Sequence, residues 1–522
     1  MNENTSNIPF VITITGPSQS GKSLVLQKIK HLPFILSQKG YNFDPCLVKK
    51  KTTRDYRVEE MKALDNGEEI DVEHVDVIPA ECDLVYQTYG KRYGINTNRI
   101  QELLDAGKSP YAVVNDIRAV EEIKEAFPNR VLSIFLFRKI PDLFDYTKEA
   151  EVRGNVSESE VNSRYEKAIA IYRMYIENIA LFDKVILNAI EYDDETLNNP
   201  LKNILDRQLI NVICGVLEGK VILRQNSAAL RNEIPKTFVL AGNAASGKDQ
   251  LIRAIKDLGK MQAEIIPKFT TRRQEIDDEE EMICRLRPKM ELLQELDEDS
   301  FSDIKNVLTE FDKVSITIQH RFRKEWEEMK RKVLENIPNG KDRFWAKVKE
   351  SNEEEIDSLF EPNPAYLDLL KLVDKGEILE TEEDDTKLIA FGGKHYIVYH
   401  AKGNKTKLYG CEISPTLKDG KYKVLVASQY GLFNILKKQL GVGNVAVIYS
   451  HSQVSESEFV KNVKDNAEKE KQKEFNKYLD DYVNNIVYYD HVVIYAKSNL
   501  SNKQSIKDEE LTDQMFRLFR VY

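Results

Sequence analysis

Two stretches, ITGPSQSGKS at 14–23 and LAGNAASGKD at 240–249, set the same Gly-x-x-x-x-Gly-Lys signal between a strand-patterned run and a helix-patterned one. Each is followed by a second echo, KKKTTRDYR at 49–57 and KFTTRRQE at 268–275. A buried β-branched run, a tight glycine turn and a helix start are thus prescribed in succession, twice. This pattern predicts an α/β fold with parallel strands, built from two tandem copies.

The first copy is the more complete. Phe10–Thr15 reads as a buried parallel strand, and SLVLQKIKHL continues with helical spacing behind the loop. Between them, Gly16, Pro17, Ser18, Gln19, Ser20 and Gly21 can turn backbone N–H groups inward around a phosphate chain, and the helix N-terminus adds a favourable dipole. Lys22 is expected to reach the β- and γ-phosphates of a bound nucleoside triphosphate, and Ser23 to ligate Mg²⁺.

Downstream, Thr52-Thr53-Arg54-x-x-Arg57 follows a second strand expected at CLVKKK, and Tyr89-Gly90-Lys91-Arg92-Tyr93-Gly94 comes next. Residues 112–137 read as strand, Asp116, helix and strand. Arg153 precedes a Ser-Glu-Ser-Glu helix start, Arg164 lies inside that helix, and FDKVILN at 182–188 is a last strand.

In this order, over about residues 9–215, the motifs resemble those of guanylate kinase. The resemblance implies ATP and Mg²⁺ as cofactors and a small phosphorylated acceptor as substrate. It assigns the acceptor phosphate to Thr53, Arg54, Arg57 and Tyr93, with Lys50 beside them. Arg153 and Arg164 become lid arginines, Asp116 lies near substrate and metal, and Asn188 lies near the adenine. Phosphoryl transfer depends mainly on positioning and charge neutralisation, so guanidinium groups around such a loop suit it.

Two departures bear on the acceptor. The positions that would pair guanine's N–H donors hold Leu84, with Asp83 adjacent, and Ile95; an apolar pocket leaves each donor unpaired at about 1–3 kcal/mol. Lys49-Lys50-Lys51 stand where small polar residues are expected, and their charge would suit a second phosphate. Thr53-Arg54-Asp55 and Val114-Asn115-Asp116-Ile117-Arg118 are also similar to ribose 1,5-bisphosphate phosphokinases, which makes a ribose phosphate an alternative acceptor.

In the second copy, Gly242, Gly247 and Lys248 can still cradle a phosphate, while Asp249, in place of the Ser/Thr hydroxyl, would either ligate Mg²⁺ directly or repel phosphate. Arg272 repeats the acceptor arginine, Tyr409-Gly410 repeats the Tyr-Gly pair, and Ser428 is read at the place of Asp116. Residues 453–490 contain no arginine. This copy is therefore expected to be catalytically poor and to serve in regulation, binding or scaffolding. A nucleotide-sensing scaffold is the alternative for the whole chain.

The expected domains are 1–215, a linker at 216–235, and 236–522 with a mainly helical insertion at about 276–365. That insertion reads as a solvated helical pair, with a dimer arm or protein-partner surface as the alternative. With 41% hydrophobic and 31% charged residues and a net charge of −10, a nucleic-acid footprint is not expected. No apolar run reaches the length of a membrane span, and five cysteines without paired spacing suit a cytoplasmic setting.

Overall fold

The computed structural model describes residues 8–18, 20–67, 69–88, 90–138, 147, 158–188, 201–223, 237–242, 248, 251–252, 255, 263–266, 268–270, 283–284, 287–288, 360–361, 372–401, 404–413, 422–452, 479–495 and 513–518. The expected linker beyond residue 223, nearly all of the insertion at 276–365 and the arginine-free stretch at 453–478 lie outside them. Two compact units form: Met1–Pro235 with Val239–Met261 and Ala446–Tyr522, and Lys236–Phe238 with Gln262–Val445. The division breaks at residue 235, and Val239–Met261 and Ala446–Tyr522 cluster with the first unit.

In the first unit, β1 (Val11–Thr15) is buried along its whole length, as its β-branched sequence requires. It runs through the loop into α1 (Lys22–Gln38). The expected second strand at CLVKKK splits in two: β2 (Pro45–Leu47) and β3 (Lys50–Thr52). Leu47 pairs with Tyr111 in the large sheet, whereas Lys50 pairs with Val72 in a small one, so the chain changes sheets at Val48-Lys49.

Next come α2 (Val58–Asp65), β4 (Val72–His74), β5 (Leu84–Thr88), β6 (Lys91–Ile95) and α3 (Thr97–Asp105). The strand–helix–strand expected at 112–137 is β7 (Ser109–Val113), α4 (Ile117–Ala126) and β8 (Val131–Phe137). Then α5 (Glu158–Glu177), β9 (Lys184–Leu187) and α6 (Leu201–Leu217) complete this half. The large sheet is parallel, in the order β2-β7-β1-β8-β9, and the small one has the order β4-β3-β6-β5.

The second half holds β10 (Thr237–Ala241), β11 (Ala263–Ile265), β12 (Lys268–Thr270), β13 (Ile283–Cys284), β14 (Arg287–Pro288) and β15 (Phe360–Glu361). It continues through β16 (Glu377–Thr381), β17 (Lys387–Phe391), β18 (Lys394–Ala401), β19 (Asn404–Ile413) and β20 (Tyr422–Val426). It ends with α7 (Tyr430–Leu440), β21 (Val445–Ser452) and β22 (His491–Tyr495). Its five-stranded sheet has the order β11-β20-β10-β21-β22, the same succession of second, third, first, fourth and fifth strand.

The likeness reaches single hydrogen bonds. Gln208 accepts from Leu187 N at 2.8 Å and donates to Leu187 O at 2.9 Å; Gln514 does both to Ile494, at 3.0 and 2.9 Å. Asp183 accepts from Ser133 N at 2.8 Å, and Asp490 accepts from Val447 N at 2.8 Å. In the acceptor segments Thr52 stands opposite Tyr93, and Thr270 opposite Tyr409.

Spacing corrects one expected equivalence. Asp116 is the N-cap residue of α4, three residues beyond the end of β7, and Gln429 holds the N-cap position of α7, three residues beyond the end of β20, without a side-chain cap bond. The counterpart of Asp116 is therefore Gln429, and Ser428 matches Asn115.

Candidate active site

The glycine loop is held from three sides. A methyl group on Gly16 would lie 2.8 Å from Ser20 Oγ and 2.9 Å from the Leu136 carbonyl oxygen. Gly16 N donates to Asn115 Oδ1 at 3.1 Å. Gly21, with φ of 91°, occupies the left-handed region at the N-cap of α1, where a Cβ would meet Asn188 Nδ2 at 2.5 Å. That amide donates to Ser20 O at 2.8 Å. Asn188, expected near a nucleobase, is buried and clamps the loop.

Lys22 opens α1 and folds back over the loop, donating to Gly16 O at 2.9 Å and Pro17 O at 2.5 Å. Burial pushes its ammonium down to about 7; Lys50 and Arg57 add to the fall, and Asp71 opposes it. Ser20 Oγ is buried without a hydrogen-bond partner among the described residues. A bent glycine loop, an orphaned hydroxyl and a destabilised ammonium at one place fit a phosphate chain. Gln19 lies outside the described residues.

A cavity of about 810 Å³ opens beside the loop, with Ser18, Lys22 and Ser23 in its wall. Its far wall belongs to the small sheet and α2, including Lys50, Arg54, Arg57, Lys91 and Tyr93. Arg164 and Lys167 of α5 close a third side, three positions apart on one helix face. Arg153 lies outside the described residues.

The three consecutive lysines do not supply surplus charge. Lys49 meets Glu69 at 3.7 Å, Lys50 meets Asp71 at 2.7 Å and Lys51 meets Glu73 at 2.6 Å. Acids at every second residue run alongside the lysine strand and neutralise it rung by rung, which removes the argument for a second acceptor phosphate. Lys50 also donates to Val113 O at 3.0 Å and lies 5.9 Å from the Tyr93 ring centroid. Burial would raise the Asp71 carboxyl, but Lys50 outweighs it and holds it below the usual carboxylate range.

Arg54 is engaged by Glu60: Nη1 donates to Oε2 at 2.8 Å and Nη2 donates to Oε1. Burial works against this pair's charges, yet the paired hydrogen bonds win, so Arg54 is raised and Glu60 lowered. Thr53 Oγ1 accepts from Arg92 N at 3.4 Å, stitching the chain after β3 to β6. Thr53 is not part of the cavity wall. Asp116 is likewise absent from that wall; its carboxylate accepts from Ala119 N at 2.9 Å and caps α4, while Asn115 faces the cavity.

Leu84 and Ile95 are cross-strand partners, both buried, and neither lines the cavity. Asp83 accepts from Thr97 N at 2.7 Å, again outside the wall. Facing the cavity instead is an aromatic pair, Tyr86 and Tyr93, stacked with centroids 5.4 Å apart and planes at 15°. Burial, then Tyr93 and Asp116, pushes the Tyr86 hydroxyl up. Sequence reading passed over Glu60, Asp71, Tyr86, Lys91 and Lys167. The alternation of acids at 69, 71 and 73, and the helical spacing from Arg164 to Lys167, were the available signals.

In the second half, Lys248 donates to Gly242 O at 2.8 Å, as Lys22 does to Gly16 O. Lys268 lies 5.3 Å from the Tyr409 ring, as Lys50 does from Tyr93 at slightly longer range. Tyr399 stacks on Tyr409 at 5.6 Å and 14°. Gly247, Asp249 and Arg272 lie outside the described residues. No helix among the described residues is long and apolar enough to cross a membrane.

No protein-family model matches the chain. A guanylate kinase of Mycoplasma genitalium is 25% identical over 201 residues, which cover 38% of this chain and 76% of that protein. The crystal structure of a guanylate kinase from Anaplasma phagocytophilum aligns with 44% of this chain and 94% of its own, at 18% identity and a TM-score of 0.26. By sequence, the chain is similar to guanylate kinase over part of its length.

Proposed function

We propose that the first half is a phosphotransferase that moves the γ-phosphoryl group of ATP to a small phosphorylated acceptor, a nucleoside monophosphate in the leading reading. The observation that carries this is the sharing of one cavity by Lys22, Arg57 and Arg164, contributed by three different parts of the chain. The loop from Gly16 to Ser23 would hold the β- and γ-phosphates. Mg²⁺, held through Ser23, would neutralise phosphate charge when bound.

Arg57, Lys91 and Tyr93 would grip the acceptor phosphate, and Arg54 joins them if Glu60 yields. An acceptor phosphate oxygen then forms the new P–O bond as the bond from the γ-phosphorus to the β-phosphate oxygen breaks. Arg164 and Lys167 would balance the charge on the transferring group, and no general base is required. Similarity to guanylate kinase supports the reaction class.

A second reading, a ribose phosphate as acceptor, is favoured by the burial of Leu84 and Ile95, which leaves no acid at the guanine-reading places. The second half is read as a diverged copy of the first, supported by the shared strand order and the paired Gln208 and Gln514 bonds. Incubating the protein with γ-labelled ATP and a panel of nucleoside monophosphates and ribose phosphates tests the proposal. Label should appear in an acceptor; triphosphate binding without any transfer would favour the sensor reading.

A further inference from the structure

β9 and β22 are the edge strands of their two sheets. An edge strand presents unpaired carbonyls that a fold must cover. Here each is covered from the opposite half, within the first unit. Tyr175 of α5 donates its hydroxyl to Val492 O at 2.6 Å, and Tyr482 donates to Val185 O at 2.7 Å.

These four residues correspond in pairs. Tyr175 precedes Asp183 by the same number of residues as Tyr482 precedes Asp490, and Val185 and Val492 each follow their aspartate by two. The rings around them match as well. Phe135, Tyr175 and Phe182 cluster at 4.2, 5.4 and 5.5 Å, and Tyr449, Tyr482 and Tyr489 at 4.8, 4.6 and 5.5 Å. Phe137 and His451, which occupy the same place on β8 and β21, opposite Leu187 and Ile494, have ring centroids 5.3 Å apart. Reciprocal contacts, with equivalent residues meeting in the middle, are the signature of a two-fold interface.

Further polar contacts reinforce the seam. Lys184 donates to the carbonyls of Ile486, Val487 and Tyr489 at 3.0, 3.0 and 2.6 Å, just beyond the helical segment 479–485. Arg207 reaches Asp480 at 2.6 Å, and Asn211 donates to Val483 O at 2.8 Å.

We propose that residues 446–522, within the first unit, meet the first half as a second subunit would and hold the base of α5 through Tyr175, a positioning residue for Arg164 and Lys167. This rests on the reading of the halves as copies; only the consequence for Arg164 rests on the proposed reaction. That segment would then support α5, whatever the catalytic standing of the second half.

Hydrogen exchange on the intact chain tests the interface without any substrate. Tyr175→Phe and Tyr482→Phe each remove one hydroxyl. Either should speed amide exchange about fivefold in both β9 and β22 and at 170–177, leaving 11–15 unchanged. Exchange that rises only in the strand losing its own partner, or nowhere, overturns the reciprocal interface. If both variants fail to fold, Lys184→Met should give the same two-sided pattern. In the transfer assay, Tyr175→Phe should lower kcat severalfold with the KM for ATP little changed. A change in KM alone overturns the positioning role. Absence of transfer in the unaltered protein would instead reject the reaction, while the exchange pattern would still judge the interface.

Discussion

The side-chain amide of Asn188 donates to the carbonyl oxygen of Ser20 at 2.8 Å, and the same nitrogen fills the space a Cβ on Gly21 would need. The last strand of the sheet thereby fixes the shape of the phosphate loop. Removing the clamp in Asn188→Ala should cost about 1–3 kcal/mol of folding stability by leaving a buried carbonyl unpaired. Denaturant titration measures that cost. Triphosphate affinity should fall for ATP and GTP alike, because the amide holds the loop rather than a base. A selective loss of ATP would show that Asn188 reads the nucleobase.

Lys22 carries a strain that should appear as pH dependence. Its ammonium titrates at about 7 in the folded chain, against an ordinary 10.5. The burial cost is complete below pH 7, where folded and unfolded states are both protonated. Stability recovers as pH rises from 7 to 10.5, since the unfolded chain there binds more protons, and above that the cost has gone. Lys22→Met should therefore raise Tm most below pH 7, with the gain shrinking as pH rises. Triphosphate oxygens should draw the proton back, so binding near about pH 8.5 should take up a proton, seen by calorimetry in buffers of different ionisation enthalpy.

Glu60 competes for the arginine that an acceptor phosphate would use. Replacing it in Glu60→Gln should leave Arg54 available and lower the acceptor KM about fivefold, the equivalent of about 1 kcal/mol. Folding stability should fall at the same time, since a shielded pair has lost one charge. An unchanged or higher KM would place the acceptor away from Arg54.

Asp183 immediately precedes β9 and accepts from Lys124 Nζ at 2.9 Å, Ser133 N at 2.8 Å and Ser133 Oγ at 2.7 Å. Both charged side chains are buried, so Asp183→Asn removes the negative charge 2.9 Å from the Lys124 ammonium, at a cost of about 3–5 kcal/mol. Urea unfolding of the variant at neutral pH measures this directly.

The loop, its flanking strand and helix, and the strand–helix–strand around Asn115 were legible because each is local: a β-branched run, a glycine turn and a helical period. CLVKKK misled because a run of strand formers does not reveal that the chain leaves one sheet for another at Val48-Lys49. The lysine triplet looked like surplus charge because Glu69, Asp71 and Glu73 meet it only after β4 has folded alongside β3. Ser428 was matched to Asp116 by strand pattern alone, whereas helix capping aligns Gln429 there. Least legible was the reciprocal seam of Tyr175 and Tyr482, since each partner carbonyl belongs to the backbone and lies hundreds of residues away in the chain.

In the proposed reaction, phosphoryl transfer occurs at the first loop and not the second. The most direct measurement is label transfer from γ-labelled ATP to a phosphorylated acceptor by Lys22→Ala and Lys248→Ala proteins side by side. Lys22→Ala should abolish transfer while Lys248→Ala keeps much of it. Equal loss in both, or survival of transfer in Lys22→Ala, would contradict it.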